Sequence, residues 1–151
     1  MKDGARVYGY SVGGELVTLK EGTNELTCMA DTPGDETFRV ACYHNSLEPY
    51  MARGRALRAD GIEGQETIEI RHQEVKEGIL AMPAEPAAVY NLGGALSTFE
   101  PDSARVSLYA LYIPYATQAS TGIPERPIAP GAPWIMRAGT PSAHIMIAPP
   151  E

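Results

Sequence analysis

The sequence predicts an α+β fold, with a mainly antiparallel sheet and two short helices inserted between an N-terminal and a C-terminal group of strands. Three observations predict it. Short runs of alternating apolar and polar residues, punctuated by Gly, Pro, Asn and Asp, fill the chain up to Tyr43 and return from Ala87 onward. Between them the apolar spacing changes to threes and fours, the helical period. The 15 Gly and 13 Pro among 151 residues leave much of the backbone to turns and extended connections. Residues 1–151 are expected to form one domain, since this length suffices for one hydrophobic core.

Taken in order, Ala5 to Tyr10 and Glu15 to Lys20 read as two strands joined at Val12-Gly13-Gly14, where glycine suits a tight hairpin. Glu25 to Ala30 and Thr37 to Tyr43 form a second pair around Asp31-Thr32-Pro33-Gly34-Asp35, a dense run of turn formers. A helix follows, capped by Asn45 or Ser46 and stopped at Gly61, with Leu47, Tyr50, Met51 and Leu57 on one face. A second helix spans about Gln65 to Glu77, with Ile68, His72 and Val75 at helical spacing and Gly78 at its end.

The strands resume at Ala87 to Leu92, which meets a break at Gly93-Gly94. Ala104 to Ile113, rich in aromatic and branched residues, reads as a central strand. Pro114 to Pro133 is a Pro-rich loop without periodicity, long enough to be a functional lid or a packed covering segment. Trp134 to Arg137 and Ala143 to Ala148 close the fold as strands around Gly139-Thr140-Pro141.

Composition excludes several classes of function. A net charge of -7 argues against nucleic acid, whose phosphates need clustered Lys and Arg. Arg53, Arg55 and Arg58 are the nearest approach to a basic patch and read as a solvated helix face beside acidic residues. No apolar run approaches the roughly 20 residues of a membrane-spanning helix. Met1-Lys2-Asp3-Gly4 leads straight into a strand without an apolar signal region.

Lys20-Glu21-Gly22-Thr23-Asn24-Glu25-Leu26-Thr27-Cys28-Met29-Ala30-Asp31 and the closing Pro133-Trp134-Ile135-Met136-Arg137-Ala138-Gly139-Thr140-Pro141-Ser142-Ala143-His144-Ile145-Met146 carry a resemblance. The chain is similar to a group of uncharacterised bacterial exported proteins with an early "EGTN…TC…D" segment and a terminal "GTP…AHIM" segment. Ala88-Val89-Tyr90-Asn91-Leu92-Gly93-Gly94 approximates their middle stretch. The resemblance implies a periplasmic or secreted location and a second cysteine at the position matched by Cys42. It implies no substrate.

If the turn centres near residue 35, Cys28 and Cys42 fall opposite one another on adjacent strands, within bridging distance. A disulfide closing a loop of about 15 residues is worth roughly 3 kcal/mol. Two buried thiols, or a metal or redox role, are the alternatives. Cys42-Tyr43-His44 places two metal-binding side chains on one strand face, but a disulfide would remove the thiolate, and His72 and His144 are the only other histidines. No metal and no cofactor are therefore expected.

The sequence contains no nucleophile elbow, Walker loop, dinucleotide fingerprint or HExxH helix, and Ser11 has no base beside it. His72 sits in the apolar stripe of the second helix and reads as a hydrogen-bonded histidine at the core edge. His144 follows the Gly139-Thr140-Pro141 turn and precedes Ile145, so it enters the sheet facing an interior or a cleft. It either fixes the turn by bonding to backbone or serves as a general base or ligand-binding donor. With Tyr109, Tyr112 and Trp134 it makes up the candidate ligand-binding set, since aromatic side chains suit a pocket for a small organic molecule.

Two functions stand: a non-catalytic exported domain that binds a small molecule or a partner protein, and a small hydrolase or isomerase with His144 as general base. A carboxylate at His144 favours the enzyme, and a purely backbone partner favours the binder.

Overall fold

Eight strands form a single sheet: β1 (Arg6–Tyr10), β2 (Leu16–Lys20), β3 (Leu26–Met29), β4 (Thr37–His44), β5 (Ala87–Ala95), β6 (Val106–Tyr112), β7 (Trp134–Met136) and β8 (His144–Ile147). The computed structural model describes residues 2–31, 34, 36–95 and 106–148. Strand order across the sheet is β2-β1-β3-β4-β5-β6-β8-β7. Every neighbouring pair is antiparallel except β1 with β3. Helices α1 (Glu48–Ala59) and α2 (Gly64–Lys76) lie between β4 and β5 in the chain. The architecture is thus α+β, with a mainly antiparallel sheet.

The exceptional parallel pair has a simple origin. The Ser11–Gly14 turn, closed by Gly14 N–H donating to the Ser11 carbonyl at 2.9 Å, reverses β2 along one side of β1. The chain then crosses under the start of β1, held by Thr23 and Asn24 N–H groups donating to the Gly4 carbonyl at 2.7 and 3.1 Å. It lays β3 along the other side in the same direction as β1.

Local chemistry departs from the sequence reading at three places. Asn45 and Ser46 do not cap α1 but belong to a 3-10 turn, Asn45–Leu47. There His44 Nδ1 accepts from the Ser46 N–H at 3.2 Å, and Asn45 instead accepts from the Thr27 hydroxyl at 2.7 Å. β5 does not break at Gly93-Gly94 but continues to Ala95, because Arg39 and Phe38 of β4 pair with the two glycines and keep them extended. The 114–133 segment holds one helical turn, α3 (Gln118–Thr121), capped by reciprocal bonds between Thr117 and Ser120. Its Pro124 carbonyl accepts the Ile135 N–H at 2.9 Å, so the segment lies along the edge strand β7 and covers it. Residues 32, 33 and 35 of the predicted turn, and residues 104 and 105 of the predicted central strand, lie outside the described residues.

Register divides the sheet into two faces. Thr27, Tyr43, Val89, Ala110, Met146 and Trp134 form one row across the strands. The next row, Cys28, Cys42, Tyr90, Tyr109 and Ile147, therefore points the other way. The helices sit on the Tyr43 face, where Tyr43, Leu47, Ala87, Val89 and Ala110 make the core. Gly54 lets the helices approach, since a Cβ there would stand 2.9 Å from Arg71 Nη1. Arg71 fills that space with its guanidinium over the Tyr50 ring at 4.1 Å and a bond to the Tyr50 carbonyl at 3.2 Å. On the opposite face Cys28 and Cys42 are joined in a disulfide, with Cα atoms 4.0 Å apart.

Candidate ligand cleft

The core strands are covered at one end only. On the helix-bearing face of β4, Tyr43 is buried, Ala41 half-buried and Arg39 exposed. β5 repeats the gradient through Val89, Asn91 and Gly93, and β6 through Ala110 and Leu108. Within four residues of the core, the same strand face thus becomes the floor of an open cleft of about 830 Å3. Gly93 contributes to its depth, because a Cβ there would meet only the Phe38 carbonyl at 3.4 Å and the Ser107 hydroxyl at 3.6 Å. Met29, Val89, Leu108, Ala110 and Met146 give the floor an apolar surface.

The rim is cationic. Met51, Arg55 and Arg58 stand at helical spacing on α1 and all line the cleft, as does Arg39 from β4. Arg55 is engaged: it pairs with Glu48 Oε1 at 2.5 Å, donates to the Tyr43 hydroxyl at 2.9 Å and lies 5.4 Å from the Tyr8 ring centroid. The Tyr43 hydroxyl donates to Glu48 Oε2 at 2.6 Å, and burial together with that carboxylate pushes its pKa well above the usual tyrosine value. The guanidinium groups of Arg39 and Arg58 have no hydrogen bond or ion pair among the described residues. Of the three arginines that the sequence suggested as a solvated helix face, Arg58 is exposed and Arg53 partly so, whereas Arg55 is drawn toward the core strands. Arg53 is clamped by Glu74 through bonds of 2.6 to 3.0 Å, Arg55 is half-buried, and Arg58 borders the cleft.

His144 closes the other end. It is 5% exposed and stacks on Tyr112 with ring centroids 4.7 Å apart. Its Nδ1 lies 2.7 Å from the Ser142 carbonyl, which can only accept, so Nδ1 carries the proton and Nε2 keeps its lone pair. Burial, and after it the nearby Arg137 charge, outweigh that bond and hold the His144 pKa below the ordinary histidine value. No Asp or Glu among the described residues bonds to this ring. His72 Nε2 of α2 lies 2.7 Å from the Ser142 hydroxyl, tying the helix to the turn that leads into β8. The pair has the spacing of a nucleophile and its base, but Ser142 is 0% exposed and a substrate cannot reach it. Two residues with left-handed backbone flank this end, Tyr115 (φ 63°) and Arg137 (φ 55°), and such strain persists only where surrounding contacts impose it.

The four predicted ligand-binding residues separate. Tyr112 and His144 come together in the cleft. Tyr109 points from the opposite face, edge-on to Tyr90 at 5.8 Å, and Trp134 of β7 does not line the cleft. A second concavity, about 330 Å3, lies on that opposite face between Leu26, His44, Tyr90 and Leu111. Sequence reasoning missed Arg39 and Ser142, and read Arg58 only as part of a solvated helix face. The 51, 55, 58 spacing on α1 was a legible signal for Arg58, whereas His72 and Ser142 meet across 70 residues, with no local trace. No protein-family model, curated protein or solved structure matches the chain.

Proposed function

We propose that this chain is a non-catalytic exported domain, periplasmic or secreted, that binds a small organic molecule in the cleft beside α1. The supporting observation is the cleft itself. Its volume falls in the range of ligand sites, its floor is apolar, and a few polar groups converge at its rim. The disulfide suits an oxidising compartment, in keeping with the similarity to exported bacterial proteins. No helix among the described residues is long and apolar enough to cross a membrane.

One observation favours the alternative of a hydrolase or isomerase based on His144: its tautomer is set with Nε2 unprotonated beside the cleft. Against that reading, the ring is oriented by a carbonyl, which does not stabilise an imidazolium as a carboxylate would. A thermal-shift screen of metabolites on the full chain tests the proposal, because a ligand bound only by the native state raises the melting temperature. The expected result is a stabilising compound whose effect disappears in Ala41→Phe, which fills the cleft floor. Turnover of that compound, abolished by His144→Gln, would instead establish the enzyme.

A further inference from the structure

Resting on the reading of the cleft as a ligand site, we infer that it selects organic anions, with an apolar body on the strand floor and an anionic group held by Arg58 and Arg39. The charge pattern carries the inference. The chain is acidic, at -7, yet among the described residues three arginines line this cleft and Asp31 is the only carboxylate there. Asp31 forms no ion pair with any of the three among the described residues. Arg55 is already neutralised by Glu48, so the other two guanidinium groups have no counter-charge among the described residues. A focused positive field in an otherwise negative molecule attracts anions and repels cations. Guanidinium also presents its donors in a fork that matches carboxylate, sulfonate and phosphate oxygens.

The surroundings of Arg58 strengthen the case. Arg58 Nη1 lies 3.6 Å from where a Gly54 Cβ would be, close to the half-buried Arg71. Burial lowers the Arg71 pKa, and the Arg58 and Arg137 charges lower it further. The Arg58 and Arg71 guanidinium groups therefore approach each other at Gly54, and an anion bound at Arg58 would relieve their repulsion. His144, which feels the Arg137 charge, offers a neutral acceptor rather than a further positive charge. The cleft thus combines anion-seeking guanidinium groups at Arg58 and Arg39, an apolar floor, and a hydrogen-bond acceptor at His144.

A matched pair of fluorescent probes tests this on the full chain: 8-anilinonaphthalene-1-sulfonate and its neutral parent, N-phenyl-1-naphthylamine. The sulfonate is expected to bind roughly tenfold or more tightly than the parent, in keeping with charge-assisted hydrogen bonds to guanidinium. Arg39→Gln with Arg58→Gln should remove that advantage and leave the neutral probe unchanged. Arg126→Gln, outside the cleft, should change neither. Decanoate should displace the sulfonate, and decanol should not. Ala41→Phe, or Gly93→Leu should the first fail to fold, should abolish binding of both probes. Equal affinities for the two probes, both lost in the filled-cleft variant, would overturn anion selection while leaving the ligand site intact. Binding of both probes that survives the filled-cleft variants would overturn the inference and the ligand-site reading together.

Discussion

The two ends of the helix-bearing face are built from the same three strands and differ completely in packing. At the β4 end near Tyr43, α1 and the Leu47 turn press on Val89 and Ala110, which are 6% exposed each. Two to four residues along the same strands, the side chains are Ala41, Asn91, Leu108, Arg39 and Gly93, and nothing described covers them. Alternation along a strand specifies which face is inward, but not how far the covering layer reaches. The length of α1 sets that limit. A 12-residue helix extends about 18 Å, and α1 ends at Ala59 with Arg58 still over the cleft. Stability is concentrated at one end of the face, and recognition is available at the other.

Matched truncations give the largest expected contrast. Leu47→Ala removes a fully buried side chain from the packed end and should cost about 2 to 5 kcal/mol, since the neighbours relax only partly around the void. Leu108→Ala, on the cleft floor, should cost about 1 kcal/mol or less, because the space it leaves is open to water. Chemical denaturation of both variants measures this. Equal losses would mean that the cleft is packed as tightly as the core.

The disulfide comes next. It joins β3 to β4 on the face away from both regions, so it should steady the shared strands without favouring either end. The Cys28→Ser, Cys42→Ser double variant should lose about 3 kcal/mol through the freed chain entropy of the unfolded state. Thiol titration of the native protein should find no free thiol. Two titratable thiols in oxidised protein would remove both the staple and the support it lends to an exported location.

A smaller effect is expected at His144, where the two regions meet. Removing its ring leaves the buried Ser142 carbonyl without its donor, a loss of about 1 to 3 kcal/mol in His144→Ala. A variant melting at or above the parent temperature would show that the ring is held at the expense of the fold, as functional groups often are. The pH dependence gives a second reading. His144 and His72 both have folded pKa values below 6.5, so the native state favours their neutral forms. Their contribution is complete above pH 6.5 and is lost as pH falls through the lowered folded values. Stability should therefore decline below pH 6.5, and the decline should be shallower in the His72→Gln, His144→Gln double variant.

The legible parts of the molecule were those decided by near neighbours in sequence. The hairpin of β1 and β2, the apolar stripe of α1, and Cys28 facing Cys42 follow from local period and turn chemistry. The β1–β3 parallel pair, the burial of Arg55 against Tyr43 and the His72–Ser142 bond depend on which elements end up adjacent, and no local pattern encodes that. The candidate aromatic set failed to converge for the same reason. Tyr109 and Tyr112 are an odd number of residues apart on one strand, so the pleat must send them to opposite faces. That much could have been deduced from the strand assignment alone.

Gly93 tests the division between the two ends most finely. It lies in the middle of a paired strand, in ordinary extended backbone, where glycine costs conformational entropy relative to residues bearing a Cβ. An alanine methyl would make only ordinary contacts with the Phe38 carbonyl and the Ser107 hydroxyl. On fold grounds, then, Gly93→Ala should be neutral or should stabilise by about 0.4 to 1 kcal/mol, by restricting the unfolded chain. On recognition grounds it should weaken any ligand in the cleft, because the methyl rises from a floor that the glycine keeps low. Gly94→Ala serves as the comparison, since a Cβ there meets nothing within 4 Å. The expected signature is a melting temperature that holds or rises in both variants, with ligand affinity reduced chiefly in Gly93→Ala. A loss of stability at Gly93 with binding unchanged would mean that the glycine serves the sheet, and that the open end of the face is only a shorter version of the packed one.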